Sequence, residues 1–496
     1  MDISNKEFNV LDTVTISEFA HVQQLYKKII SLHRDCYHDN DRIVFIQDSL
    51  SDNILILLQE ILEFVGIPYF FVYIISNRHI MVNEKIKTFI DHTITPCETP
   101  DISLSASHCI YPWVNLEINT NGTLKPCCIS RNNIHNEDNR KLNIHTDSIA
   151  DAYFSSHMVN LRKSFLNGDY PIDCASCWKT EAAGGCSPRQ QAKYKFKDIY
   201  YNIDYHDEYS DNLKIFDIKL GNACNLSCRI CSPSSSSTIA NLEYKAGRLP
   251  KDSYHEFKKL KSLFDTDIFW DKIFDRVDTL SYLDIYGGEP LLSNLHFKFL
   301  EKLIVRGVAQ NIKLDYNSNG TIFSEKFVQI WEQFQQVKIS FSIDDINQRF
   351  EYQRNGALWH NVNKNITKYN QIMLTNFVTD AFPTVNIQNV YYLPELIEWV
   401  YSKNFSVPPS LNILRYPEKH AITNIPDTIK LKIIEKLEKF QHYDGINSII
   451  NTLANSTPNY EYFEDFLQYT KLLDAERGQK FASTFPEFSK LIMDNT

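Results

Sequence analysis

The residues best suited to chemistry begin at Asn222. There NACNLSCRIC sets Cys224, Cys228 and Cys231 on a CxxxCxxC spacing directly after the apolar run FDIKL. A zinc site usually collects four ligands, and no local fourth cysteine completes this set. Three thiolates can instead hold a four-iron cluster with one iron left open, where a small molecule could bind and receive an electron. Three buried cysteines, or zinc closed by a distant residue, is the competing reading of the triplet alone.

Further polar groups fall at the ends of the strands that follow, the place where ligands gather in α/β barrels and open sheets. In YGGEPLL, Gly287 and Gly288 allow close backbone approach to a ligand, and Glu289, before Pro290, offers a carboxylate to a cation such as an ammonium. An isolated GGEP is equally a tight turn. Asn319 in NSNGT, Ser342 and Asp344 in SFSIDD, and Arg354 in EYQRNG could converge on one polar ligand. Asp284, Tyr286 and Tyr391 also lie near strand ends, and each fits a structural role better than a catalytic one.

A second set of thiols lies upstream. Cys109 and Cys127 flank a predicted hairpin with Gly122 at its NTNGT turn, and Cys174 and Cys177 form CASC. This spacing permits structural zinc or an iron–sulfur cluster. Cys128 and Cys186 are spare neighbours, while the isolated Cys36 and Cys97 fit buried small hydrophobes.

The elements that must position these residues divide the chain into four. Residues 1–105 carry an αβ pattern: strand RIVFIQDSL, amphipathic helix SDNILILLQEILEFVG and strand YFFVYIISN. Residues 106–205 are cysteine-rich, with short strands in WVNLEINTNGTLKPCC and one helix over IADAYFSSHMVNLRKSFLNG, and they end in a polar linker, YNIDYHDEYSDN. Over 206–416 the strands LKIFDIKL, TLSYLDIY, IKLDYN, VKISFSI, TVNIQNV and SLNILRY alternate with helical segments. Six strand–helix repeats imply a parallel sheet, because each return to the same edge needs a crossover, and six suit an open partial barrel. Residues 417–496 are helical. The fold class expected is therefore α/β: a partial (β/α)6 barrel preceded by a small cysteine-rich α+β module and an N-terminal αβ domain.

Composition bounds the partners. The 496 residues carry a net charge of −10, with 43% hydrophobic and 23% charged residues, as in a soluble globular protein, and this argues against broad charge-driven binding to nucleic acid or anionic lipid. The opening MDISNKEFNVLD lacks the cationic and apolar segments of a secretory signal, and the most apolar window contains Gln59, Glu60, Glu63 and Pro68. A cytoplasmic location is expected. Eleven cysteines, an odd number without an export signal, point to metal ligation rather than disulfides.

Over residues 213–416 the cysteine triplet, GGEP, SNGT and SIDD resemble the radical S-adenosylmethionine superfamily. The resemblance implies a 4Fe-4S cluster on Cys224, Cys228 and Cys231 that binds S-adenosyl-L-methionine, with Gly287 to Pro290 against the methionine amine. Ser342, Asp344 and Arg354 are weaker candidates for its ribose and carboxylate, with Asn319 among the cofactor contacts. Ile230 stands where the family is often aromatic, so packing on adenine there would be aliphatic. Residues 106–205, especially CIYPWVNLEINTNGTLKPCC and CASCWKTEAAGGCSPRQ, resemble a Twitch or SPASM auxiliary module, closer to the shorter form with one 4Fe-4S cluster on Cys109, Cys127, Cys174 and Cys177, and placed before the barrel instead of after it. The resemblance implies a radical enzyme that abstracts hydrogen from a peptide or protein side chain, helped by an electron donor such as flavodoxin or ferredoxin. The alternatives are a small-molecule alcohol or sugar dehydrogenase and a non-catalytic iron–sulfur scaffold or electron-transfer protein.

Overall fold

The computed structural model describes residues 104–495, apart from 183–186, 206, 210 and 444, together with three strands nearer the N-terminus. Those strands are β1 (Asn9–Thr15), β2 (Asp41–Gln47) and β3 (Val72–Ser76), paired in parallel in that order. They belong to a unit formed by Met1–Leu104 and Lys193–Asn202. The runs expected as strands supply β2 and β3, whereas β1 was not anticipated. The helix expected between them, and Cys36, Cys97 and Cys186, lie outside the described residues.

The second unit, Ser105–Ala192 with Ile203–Thr496, is built on a seven-stranded sheet. Its strands are β4 (Asn115–Ile118), β5 (Leu124–Lys125), β6 (Ile215–Lys219), β7 (Tyr282–Tyr286), β8 (Lys313–Ser318), β9 (Gln336–Phe341) and β10 (Phe377–Ala381), in the order β10-β9-β8-β7-β6-β4-β5. From β6 to β10 every pairing is parallel and each strand neighbours the next in sequence. The crossovers are helical, and Asn294–Arg306 shows why such a segment starts and stops where it does. Ser293 caps its first turn by accepting from the His296 amide at 3.1 Å, and Gly307 ends it in the left-handed region at φ 75°.

Three expectations need correction. The fifth core strand is β10, FVTDA, not TVNIQNV. Only β11 (Thr384–Val385) of that run is extended, before the chain turns into a short helix at Val390–Tyr392. The expected sixth strand shrinks to β12 (Asn412–Ile413), which pairs with β11 in a separate two-stranded sheet. Ser410 N reaches Ala381 O at 3.0 Å and Asn412 N reaches Pro383 O at 2.9 Å, so this segment follows the β10 edge through isolated bonds across Pro383, which cannot donate to a ladder. The single helix expected over 149–168 is two, Ile149–Tyr153 and Ser156–Leu166, because Ser155 takes the cap position and accepts from Met158 N.

The cysteine-rich segment joins the same sheet. β4 pairs in parallel with β6 in the register Asn115↔Ile215, Leu116↔Phe216, Glu117↔Asp217, Ile118↔Ile218, and β5 closes the hairpin antiparallel. Gly122, at φ 80°, makes the expected turn. Within the expected polar linker most described residues are exposed or half-buried, but Ile203 and Tyr205 are buried, with the Tyr205 ring 4.5 Å from His108 and 5.5 Å from Trp113. Alternation along the strands gives the sheet one apolar face, with Phe216, Ile218, Leu283, Ile285, Leu314, Val337 and Ile339 in the core. The other face is polar, carrying Glu117, Asp217, Asp284 and Asp315 in one row.

Candidate functional site

The first cysteine loop leaves the C-terminal end of β6. Asn222 ties its two ends together, since its Nδ2 donates to Pro233 O at 3.1 Å and to Phe257 O at 2.8 Å, while its carbonyl accepts from Ser237 N at 2.7 Å. Inside the loop, Ser227 N donates to Asn355 O and Arg229 N to Gln353 O, so the cysteines ride against the segment that carries Arg354. Cys224, Cys228 and Cys231 are half-buried and make no disulfides. Burial pushes all three thiols up, Cys228 to about 11, opposed by the Arg354 charge and reinforced by Cys224 and Asp344. Ile230 is half-buried beside them.

GGEP straps this loop down. A Cβ on Gly288, at φ 53°, would stand 2.4 Å from Ala223 O, and one on Gly287, at φ 82°, would stand 3.1 Å from Lys219 Cα. The close approach that these glycines permit is therefore to the start of the cysteine loop, and Glu289 N seals it by donating to Ala223 O at 2.9 Å. The Glu289 carboxylate accepts from Ser318 Oγ at 3.0 Å, Asn319 N at 2.8 Å and Leu291 N at 3.3 Å, which locks the ends of β7 and β8 together. Burial raises it to about 7 despite these donors. Pro290 is buried at the start of a short helix, Pro290–Leu292.

Two polar arms reach the sulfurs. Asn319 holds Asn225 Oδ1 at 2.9 Å and points its Nδ2 at Cys224 Sγ, 4.0 Å away. Arg354 donates from Nη1 to Cys228 Sγ at 3.9 Å and pairs through Nη2 with Asp344 Oδ2 at 2.8 Å. Asp344 also accepts from Thr384 N. The predicted residues of three strand ends thus meet at the cysteine loop, but Asp344 and Arg354 engage each other, and Ser342 is engaged through its amide, which donates to Ser318 O at 2.9 Å. Tyr391 stacks on Phe488 at 5.9 Å in the helical tail.

The sequence reading missed Gln388. It is fully buried in the NIQN segment, and neither atom of its amide has a hydrogen-bond partner. Its neighbours Asn386 and Asn389 are tied to Gln353 and to the Asp344 carbonyl. Three amides within four residues, past the end of a core strand, were the available signal.

In the second set, Cys109, Cys127 and Cys177 are buried and Cys174 is half-buried. Their thiols are all raised, by burial first, and Cys127 and Cys174 feel other cysteines of the set. The loop after Cys127 is pinned beside Cys174: Arg131 N donates to Asp173 O at 2.9 Å, and Asp173 takes Asn132 Nδ2 and, at 2.8 Å, His157 Nε2. Arg189 braces the other side, donating to His108 O at 2.8 Å and pairing with Glu181 at 2.6 Å. Cys128 departs from the set. It is an exposed residue, and its thiol is raised first by burial and then by the carboxylates of Asp217, Glu117 and Asp284 on the polar face of the sheet.

As placed, no group of three or more His, Cys, Asp or Glu among the described residues is drawn into metal-ligating positions. The donor chemistry nevertheless fits iron–sulfur clusters: two groups of thiols without disulfides, neutral when buried alone, become thiolates when a cation repays their burial. Among the described residues no helix is long and apolar enough to cross a membrane.

Residues 109–178 match the family model of SPASM, an iron–sulfur cluster-binding domain. No curated protein matches the chain. Among solved structures it is similar to anSMEcpe with bound AdoMet, at 16% identity and a TM-score of 0.32, covering 47% of this chain and 62% of that one. It is also similar to SuiB of Streptococcus suis bound to S-adenosylmethionine, at 10% identity and a TM-score of 0.31, covering 68% of each chain. A third structure, anSMEcpe with AdoMet and the Cp18Cys peptide, has 14% identity and a TM-score of 0.29, covering 46% of this chain and 60% of that one. At TM-scores this low the likenesses carry no argument about this chain. The domain match stands on the cysteines of the second set, and the CxxxCxxC loop strapped by GGEP stands on the same sheet. What the family match shows is therefore a SPASM iron–sulfur cluster-binding domain over residues 109–178 of this chain.

Proposed function

We propose that the protein is an enzyme that reductively cleaves S-adenosylmethionine and uses the resulting 5′-deoxyadenosyl radical to abstract a hydrogen atom from a peptide or protein side chain. The observation that supports it best is the strapping of the cysteine loop by Gly288 and Glu289, with Arg354 turned onto Cys228. Cys224, Cys228 and Cys231 would hold a 4Fe-4S cluster, which when present supplies one electron to the sulfonium. The chain's own residues do the positioning. Arg354 and Asn319 donate toward sulfur, which stabilises thiolate charge. Glu289 fixes the glycine strap and places a carboxyl group of raised pKa where an ammonium would lower it again.

Cys109, Cys127, Cys174 and Cys177 would hold the auxiliary cluster. A fully ligated cluster offers no vacant iron, so relaying an electron is the role that fits it. The peptide substrate rests on the resemblance, since radical proteins with auxiliary modules frequently act on peptides.

The test is anaerobic reconstitution with iron and sulfide, reduction with dithionite, addition of S-adenosylmethionine and assay for 5′-deoxyadenosine. Formation of that nucleoside is expected. A fully loaded protein that forms none is a scaffold or electron carrier instead.

A further inference from the structure

The polar face of the sheet carries a row of acidic residues apart from both cysteine sets. In register across four adjacent parallel strands stand Glu117, Asp217, Asp284 and Asp315. Like charges on neighbouring strands repel, so such a row is retained only where something offsets it. Lys219 pairs with Glu117, the Tyr282 hydroxyl engages Asp315, and Lys338 of the next strand pairs with Asp380 at 2.8 Å. Tyr286 lies one step toward the cysteine loop, its hydroxyl 3.5 Å from Glu117 Oε1.

Two further atoms point to a ligand. Glu117 is fully buried, yet its Oε2 has no hydrogen-bond partner. Asn115, on the same side of β4 and equally buried, donates to Asp217 Oδ2 at 3.4 Å while its own Oδ1 has none. Both orphans are acceptors. A buried acceptor left without a donor costs ~1–3 kcal/mol, and a cationic group bringing N–H donors would satisfy both of these atoms. Asp284, between Asp217 and Asp315 in the row, and Tyr286 are half-exposed and give such a group access. Burial, and then the carboxylates of Glu117 and Asp217, keep the Tyr286 hydroxyl protonated.

We infer that Glu117, Asp217 and Asp284 bind an organic cation, an ammonium or guanidinium carried by the substrate, and so set its position below the cysteine loop. This rests on the proposed function for its meaning, but binding can be measured without turnover. The probes are the pentapeptide acetyl-Ala-Ala-Lys-Ala-Ala-amide, its norleucine counterpart and 1,5-diaminopentane, titrated into the reconstituted full chain by calorimetry. Expected is binding of the lysine peptide or of the diamine about tenfold tighter than the norleucine peptide, with that advantage lost in Asp284→Asn, which replaces a half-exposed residue, and in Glu117→Gln. Preference for the peptide points to a protein-borne cation, and preference for the diamine to a small molecule. Equal binding of all probes, no binding, or a preference that survives both substitutions overturns the inference. Nucleoside formation is assayed in the same preparation. Cleavage without cation preference overturns this inference alone, and preference without cleavage overturns the proposed function alone.

Discussion

Arg229, next to Cys228, donates from Nη2 to Asp474 Oδ1 at 2.7 Å across 245 residues of sequence, and its guanidinium lies over the Tyr352 ring at 3.7 Å. The C-terminal helix Tyr460–Arg477 therefore clamps the loop that carries the first cysteine triplet. Asp474 also accepts from Tyr352 Oη and Phe481 N, each at 2.6 Å.

Breaking this pair leaves a buried cation without its partner. Asp474→Asn should lower stability by about 3 kcal/mol, read from denaturant unfolding, and should loosen the loop enough to reduce iron retention. Replacing both residues with apolar ones, Arg229→Met with Asp474→Leu, should recover part of the loss. A single substitution without effect would show that the helix does not hold the loop.

Gly288→Ala places a Cβ 2.4 Å from a backbone oxygen at a positive φ, so the strap must lift. The expected outcome is loss of 5′-deoxyadenosine formation with iron retained at the SPASM cysteines. Iron content near half of wild type, beside an unchanged circular dichroism spectrum, is the measurement.

Glu289 gives the fold a pH dependence of known sign. Its carboxyl ionises near 4.5 in an unfolded chain and near 7 in the fold, so the stability that comes with its neutral form is complete below about 4.5 and is lost as pH rises through 7. The shift corresponds to a loss on the order of 3 kcal/mol. Glu289→Gln removes the ionisation. In thermal unfolding without cofactor, wild type should lose stability relative to this variant on moving from about pH 5 to about pH 8. Parallel curves would contradict the assignment.

The two cysteine sets should separate in function. Cys224→Ala, Cys228→Ala or Cys231→Ala should abolish cofactor cleavage, since the first site loses a thiolate. Cys174→Ala or Cys177→Ala should leave cleavage running without product. Turnover that persists in the latter pair would end the electron-relay role.

Local pattern carried much of this. Short apolar runs between helical segments marked three core strands, KIFDIKL, SYLDIY and KLDYN, and the last of them alternates strictly, as a strand with one buried face must. It failed at TVNIQNV, where the apolar period continues but the asparagine amides turn the chain by bonding its backbone, as Asn386 does to the Gln388 amide at 2.9 Å. Within the polar linker, mean polarity hides Tyr205, whose ring is buried against His108 and Trp113.

The sequence by itself determined the spacing of the cysteines, the tight GGEP turn, the NTNGT hairpin and the parallel core, since each depends on spacing or on the conformational freedom of a few neighbouring residues. Tertiary structure alone decided that β4 would extend the core sheet beside β6, that Asp474 would reach the cysteine loop, and that four carboxylates from four strands would stand in one row. Such long-range pairings depend on strand register and helix docking, which follow from the packing of the whole core rather than from any one segment.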